Sequence, residues 1–318
     1  MSALDLAQQN LTSPMVLAFV LGFLAVRIKS DLSFPDQITS LLSTYLLLAI
    51  GLKGGVRLKD VNISDVALPA LATVCAGIAT AFVTYVIARR FIRLSGADAS
   101  SLAAHFGSVS AVTFTAAETF ARSSGGQTAE YLPLLVVLLE IPGIVIALML
   151  WTRQGQQKVH GALTEVLTGK SIMLLGGGLL IGALANTTAM DAVKPVFVDL
   201  FPGVLTLFLL DLGTLAGSQL GQIRRAGVRL IGFGVVAPVV FGVLGVALGL
   251  GVGMEPATAA VFGTMLASAI YIAAPAAVRI GIPYANPGLA LGVALGITFP
   301  FNIVIGIPLY AEVAKLLG

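Results

Sequence analysis

Apolar residues follow one another along this chain in long runs, broken by short polar turns. The runs fall at residues 15–28, 38–52, 66–88, 97–121, 131–151, 171–185, 197–219, 228–251, 257–278 and 287–309. A helix needs about 20 apolar residues to cross a bilayer. Most of the runs reach that length, and the pattern predicts ten transmembrane helices, numbered here as spans 1 to 10. Spans 1, 2 and 6 are short, as expected for tilted bundle members whose polar ends face cavities. The largest polar stretch, residues 152–169, divides the chain into two sets of five spans.

Two spans are interrupted. In span 4 the run His105-Phe106-Gly107-Ser108-Val109-Ser110-Ala111-Val112-Thr113 is small and hydroxylic at its centre. In span 9 the run Leu266-Ala267-Ser268-Ala269-Ile270-Tyr271-Ile272-Ala273-Ala274-Pro275 has the same character, with a proline. Backbone that leaves a helix within lipid is tolerated only where protein buries it or where it lines a polar cavity. Paired interruptions at matching places in two halves point to a transport site.

The two halves also echo each other elsewhere. Gly51 and Gly55 are matched by Gly213 and Gly217, each 162 positions on. Gly107-Ser108 is matched by Ala267-Ser268, and Ile144-Val145-Ile146 by Ile303-Val304-Ile305, at nearly the same offset. The expectation is an all-α polytopic membrane protein: a first five-helix repeat over residues 1–151, a cytoplasmic connector over 152–169 and a second repeat over 170–318. An odd number of spans per repeat turns the second repeat upside down relative to the first.

Composition agrees with the pattern. Of 318 residues 57% are hydrophobic and 10% charged, against about 25% charged in soluble domains. The formal charge of +3 is read as basic cytoplasmic loops, not as a nucleic-acid surface. Placing the N-terminus outside puts Arg27, Lys29, Arg89, Arg90, Arg93, Arg153, Lys158, Lys170, Arg224, Arg225, Arg229 and Arg279 inside. Lys53, Arg57, Lys59, Arg122, Lys194 and Lys315 remain outside. The positive-inside rule therefore favours both termini outside, although three of the outside residues crowd the turn between spans 2 and 3. The N-terminal segment carries Asp5 and no basic residue, so span 1 is expected to stay as a helix rather than act as a cleaved leader. The single Cys75 forms no internal disulfide.

Candidate chemistry concentrates near the interruptions. A half-helix starting near Ser110 offers free N–H groups and a positive dipole end, both suited to an anion. Ser108, Ser110, Thr113 and Thr115 add hydroxyls for an anion or a cation. Small residues also serve ordinary helix packing. Ionisable residues within spans are costly in lipid and mark function. Glu140, just before Pro142-Gly143, is the candidate cation ligand or proton carrier, with Asn302 of span 10 as a partner across from it. Asp211, next to Gly213, is the candidate gating residue. Glu118 is expected near a surface. His105 is expected as a hydrogen-bonded packing residue. No phosphate-cradling loop, no Cys/His metal cluster and no nucleophile–base set is present, so neither an ATP-driven pump nor an enzyme is indicated. Asn10-Leu11-Thr12 matches a glycosylation sequon and carries no argument here.

Several runs resemble the sodium-dependent bicarbonate transporter family. They are Ile50-Gly51-Leu52-Lys53-Gly54-Gly55, Phe106-Gly107-Ser108-Val109-Ser110, Glu140-Ile141-Pro142, Arg279-Ile280-Gly281-Ile282-Pro283-Tyr284-Ala285-Asn286-Pro287 and Ile305-Gly306-Ile307-Pro308-Leu309. The resemblance implies a gate domain of helices 1, 2, 6 and 7 and a core domain of helices 3–5 and 8–10. It implies a homotrimer in a bacterial inner membrane, with a PII-like regulator at the cytoplasmic face. It implies bicarbonate between the broken helices 4 and 9, at Gly107, Ser108, Val109, Ser110 and Ala111 with Ser268, Ala269 and Ile270 facing them. Sodium lies close by, and the candidate cation ligands here are Glu140, Thr113 and Asn302. No cofactor is expected beyond sodium as co-substrate. Tyr271 departs from the family pattern, which is serine-rich in span 9 and has an acidic residue at that point. The connector is shorter than in the cyanobacterial members. The expected function is sodium-coupled bicarbonate uptake by alternating access. The alternatives are a proton- or sodium-coupled carrier of another small anion such as a carboxylate, and an anion-sensing membrane receptor without flux.

Overall fold

The computed structural model describes residues 8–59, 61–152, 164, 167–225, 227–272 and 274–318. The connector expected at 152–169 lies mostly outside them, as do Asp5, Arg153 and Lys158 of the charge tally. The described residues form helices and no strands.

The first half comprises α1 (Pro14–Arg27), α2 (Asp36–Leu58), α3 (Ile63–Ile87, continued by a π-helical turn, Ala88–Ile92), α4 (Gly96–Phe106), α5 (Ala111–Ser123), α6 (Leu132–Glu140) and α7 (Pro142–Thr152). The second comprises α8 (Lys170–Leu184), α9 (Thr187–Lys194), α10 (Phe201–Arg225), α11 (Val228–Gly251), α12 (Pro256–Ala267), α13 (Ala274–Gly281), α14 (Pro287–Val293) and α15 (Ile307–Leu317). A π-helical turn, Pro195–Asp199, leads from α9 to α10. Residues 294–306 carry α14 into α15 through two π-helical turns around the short turn Phe299–Phe301. Among the described residues, six helical stretches are long and apolar enough to cross a membrane, including Ile63–Ile92, Leu132–Thr152 and Gly288–Leu317. Their outer faces carry large exposed apolar side chains such as Leu41, Leu71, Phe82 and Leu244. A soluble surface of this size would not expose so much contiguous hydrocarbon. The chain is an integral membrane protein.

Helix starts and stops follow local chemistry. Ser13 caps α1 by accepting from the Val16 amide, with Pro14 at the first helical position. Ser95 caps α4 through the Asp98 amide, and Ser110 caps α5 through the Thr113 amide. Pro142 has no N–H to give, so it divides span 5 into α6 and α7 at Ile141.

Two helix pairs cross at very short range through glycine. On α2, a Cβ at Gly51 or Gly55 would strike the backbone of α8 at Leu175 and Leu179. On α10, a Cβ at Gly213 would strike the backbone of α1 at Phe19. The first span of each half therefore packs on the second span of the other. Small residues permit this approach, and dispersion rather than the hydrophobic effect holds such pairs within lipid. A separate layer forms from α3, α4 and α7 on one side and α11, α12 and α15 on the other. There Gly143 of α7 lies directly against the backbone of Gly107, where span 4 breaks.

Candidate functional site

The structure breaks both spans where the sequence is small and hydroxylic. α4 ends at Phe106 and α5 starts at Ala111. α12 ends at Ala267, Ser268 has extended backbone, and α13 starts at Ala274. Pro275 is thus the second residue of a new half-helix, not a kink inside a continuous one. The two breaks satisfy one another. The Ser110 amide donates to Ser268 Oγ at 2.9 Å, and Ser268 Oγ donates to the Met265 carbonyl at 2.7 Å. The Ile270 amide donates to the His105 carbonyl at 2.8 Å. Backbone freed from helices in a low-dielectric interior is thereby paired, as burial demands. At the start of α5, the Thr113 amide is taken by Ser110 Oγ and the Phe114 amide by the Ser110 carbonyl. The amides of Ala111 and Val112 remain as the donors of that first turn.

A pocket opens beside this crossing. It is lined by Val109, Ser110 and Ala111 of the first break and by Ile270, Tyr271 and Ile272 of the second. Val136 and Glu140 of α6, Leu47 of α2, and Ser171 and Leu175 of α8 complete it. It has room for roughly one water. The Glu140 residue is 3% exposed. One of its carboxylate oxygens, Oε2, has no hydrogen-bond partner, and the Ser171 hydroxyl lies within hydrogen-bonding reach of the carboxylate. Tyr271 is 9% exposed, and its hydroxyl also has no partner of ordinary geometry, although the Ser110 side chain is its neighbour. Its ring is held edge-on against Phe299, with centroids 5.5 Å apart. Among the described residues, no Lys, Arg or His lines the pocket.

Other sequence candidates lie elsewhere. Ser108 Oγ donates to the Glu140 backbone carbonyl at 3.1 Å and so ties span 4 to the end of α6. Gly107 packs on Gly143. Asn302 does not meet Glu140. Its Nδ2 donates to the Ala267 carbonyl at 2.8 Å, the last carbonyl of α12, and its Oδ1 accepts from Tyr310 at 3.1 Å. Thr113 is buried, and Thr115 donates back to the Ala111 carbonyl. Asp211 is buried on α10 and accepts from Thr39 Oγ1 at 2.6 Å, outside the pocket lining. His105 contacts the Ser101 carbonyl through Nδ1 at 2.8 Å.

Glu118 belongs to an ion-pair group. Arg57 meets Glu118 at 2.7 Å and Glu130 at 3.0 Å, and Arg122 meets Glu118 at 3.1 Å. Lys53 lies over the Phe201 ring at 3.2 Å, and Lys59 donates to the Ala185 carbonyl. The basic residues that crowd the turn after span 2 are therefore engaged with the protein itself.

The closing run of span 9 has a local role. The Asn286 amide donates to Asp98 Oδ1 at 2.8 Å, and Asn286 Oδ1 caps α14 through the Gly288 amide. This fastens the start of α14, just past the turn that follows α13, to the start of α4.

The model of the Na+-dependent bicarbonate transporter superfamily matches residues 14–315. The chain belongs to that superfamily. No curated protein matches it. The family makes the chain a membrane transporter, not an enzyme, with bicarbonate as the family's substrate. Two polar pocket residues went unrecognised as site residues in the sequence. Ser171 opens α8 with no motif around it, and Tyr271 stood out only as a departure from the family pattern. Both reach the pocket through packing between distant spans.

Proposed function

We propose that the chain takes up bicarbonate together with sodium, through the pocket between the two broken spans. The observation that carries this reading is the chemistry of the lining. The pocket holds one carboxylate, Glu140, and no basic side chain. An anion entering a low-dielectric site without a counter-charge pays a heavy desolvation cost, and a facing carboxylate adds repulsion. The site becomes favourable for an anion when a cation enters with it. Sodium takes oxygen ligands, as hard cations do, and the Glu140 carboxylate with the Ser110, Ser171 and Tyr271 hydroxyls are the oxygens at hand. The amides of Ala111 and Val112 and the dipole of α5 favour the anion.

The walls of the pocket support alternating access. Leu47, Ser171 and Leu175 come from α2 and α8, which fall in the gate domain of the family resemblance. The remaining walls come from spans 4, 5 and 9, which fall in its core domain. A relative shift of the two groups would open a pocket that now admits one water. The glycine-mediated pairing of α1 with α10 and of α2 with α8 supports a ten-helix arrangement of two inverted repeats. The basic residues favour termini outside, and the family resemblance favours a bacterial inner membrane, a homotrimer and a PII-like cytoplasmic regulator.

Ser110→Ala and Glu140→Gln are the variants that test the site. Each is expected to reduce labelled-bicarbonate uptake into proteoliposomes by tenfold or more, about 1.4 kcal/mol, while size-exclusion behaviour stays that of the wild type. Undiminished sodium-dependent uptake in both would sink the site assignment.

A further inference from the structure

A larger cavity lies apart from the pocket of the two breaks and shares no residue with it. Its volume is about 510 Å³, within the roughly 300–1,000 Å³ of small-molecule sites. Three segments wall it: the first turns of α3, the turn over residues 127–131 between α5 and α6, and the turn over residues 252–255 between α11 and α12. Thr258 Oγ1 accepts from the Ala129 amide at 2.8 Å and so fixes the second wall to α12. Two carboxylates, Asp65 and Glu255, line the cavity, and among the described residues no basic side chain does. Both are exposed, and neither has an ion-pair partner among the described residues. The Asp65 carboxylate accepts from Ser64 Oγ at 3.2 Å and from Asn62 Nδ2 at 3.5 Å. Thr128 lines the same cavity. It is 6% exposed, and its Oγ1 has no hydrogen-bond partner. A buried hydroxyl left in that state is costly unless a guest completes it.

The lining selects a guest by charge and by polarity. Two carboxylates without a counter-charge favour two positive charges. A bare metal ion is a poor match, because no group of three His, Cys, Asp or Glu among the described residues could hold one. A divalent ion that keeps its waters would set them against Leu68, Pro69 and Val252, which also line the cavity. An organic dication suits both parts of the lining. Its ammonium ends meet the oxygens, and its hydrocarbon covers the apolar residues. An alkylammonium brings three donors and no acceptor, so one end can bond a carboxylate and the Thr128 hydroxyl together. The Tyr131 ring in the wall adds attraction for a cation. We infer that this cavity binds a short aliphatic diamine through Asp65, Glu255 and the Thr128 hydroxyl. The site is independent of the anion site proposed above. Its walls come from α3, from the turn ahead of α6 and from the start of α12, so a bound diamine ties these segments together and stabilises the fold by mass action.

The test is calorimetric titration of the purified full-length protein with putrescine, n-butylamine and magnesium chloride at constant ionic strength, for the wild type, Asp65→Asn, Glu255→Gln and Thr128→Val. The wild type is expected to bind putrescine at least about tenfold more tightly than butylamine or magnesium, the worth of one hydrogen bond to a charged group, and to melt at a higher temperature with putrescine present. Asp65→Asn and Glu255→Gln are each expected to weaken putrescine by about tenfold, for the same reason. Thr128→Val, which keeps the shape and removes the hydroxyl, is expected to weaken it by about fivefold. No binding of putrescine up to about 10 mM, or equal affinities for putrescine and magnesium in the wild type, overturns the inference, and either result stands even where a variant does not fold. Undiminished putrescine binding in folded Asp65→Asn and Glu255→Gln overturns it too.

Discussion

Gly143 shows how one residue can hold the break in span 4 in register. Its α-carbon faces the Gly107 backbone at the point where span 4 leaves its helix, and a Cβ there would strike the Gly107 carbonyl. Gly143→Ala is expected to cost about 1–3 kcal/mol through overpacking, seen as a lower melting temperature in detergent. Gly176→Ala is the control, because a Cβ there meets nothing within 4 Å. It is expected to be neutral or slightly stabilising, by up to about 1 kcal/mol of helix propensity. Equal melting temperatures for the two variants would contradict the close crossing. Residue-level chemistry was partly legible beforehand. Glu140 announced itself as a carboxylate inside an apolar run. Asn302 announced itself as a polar residue too, but its partners, the Ala267 carbonyl and Tyr310, depend on how α12 and α15 pack. No spacing along the chain reveals that.

At the scale of elements, the interruptions were legible because small and hydroxylic residues stand out within hydrocarbon. The break at 107–110 matches the small, hydroxylic stretch. The second is wider than Pro275 suggested, because Ser268 already leaves the helix. Span 2 extends beyond its apolar run to Leu58. Lys53 and Arg57 end that run in the sequence, yet the structure houses them through a ring face and two carboxylates. α9 was not foreseen, since Thr187–Lys194 is too polar and too short to register as a span. The closing helix likewise passes residue 309 and runs to Leu317, with Glu312 and Lys315 3.9 Å apart along α15. The cross-bonding of the breaks gives a further expectation. Ser268→Ala leaves the buried Ser110 amide without its acceptor, at about 1–3 kcal/mol. Ser268→Thr, which keeps a hydroxyl, is expected to recover part of that in thermal unfolding. Loss of stability in neither variant would show that the two breaks do not depend on each other.

For the whole molecule, the pocket lies where two groups of helices meet, and the Arg57 ion pairs join those groups at a second place. Arg57 on α2 holds Glu118 of α5 and Glu130 of the following turn. Partly exposed pairs of this kind contribute at most about 1 kcal/mol each, so they suit a contact that would break and re-form in the alternating access proposed above. Arg57→Gln is expected to change stability little and to raise the reactivity of a Ser110→Cys probe toward a soluble thiol reagent, in a Cys75→Ala background. An unchanged labelling rate would mean the pairs do not restrain opening. The central claim is that anion and cation enter this pocket together, and sodium-gradient flux tests it most directly. Purified protein in proteoliposomes should accumulate labelled bicarbonate under an inward sodium gradient and fall to the protein-free background when potassium replaces sodium. Equal uptake from sodium and potassium media would contradict it.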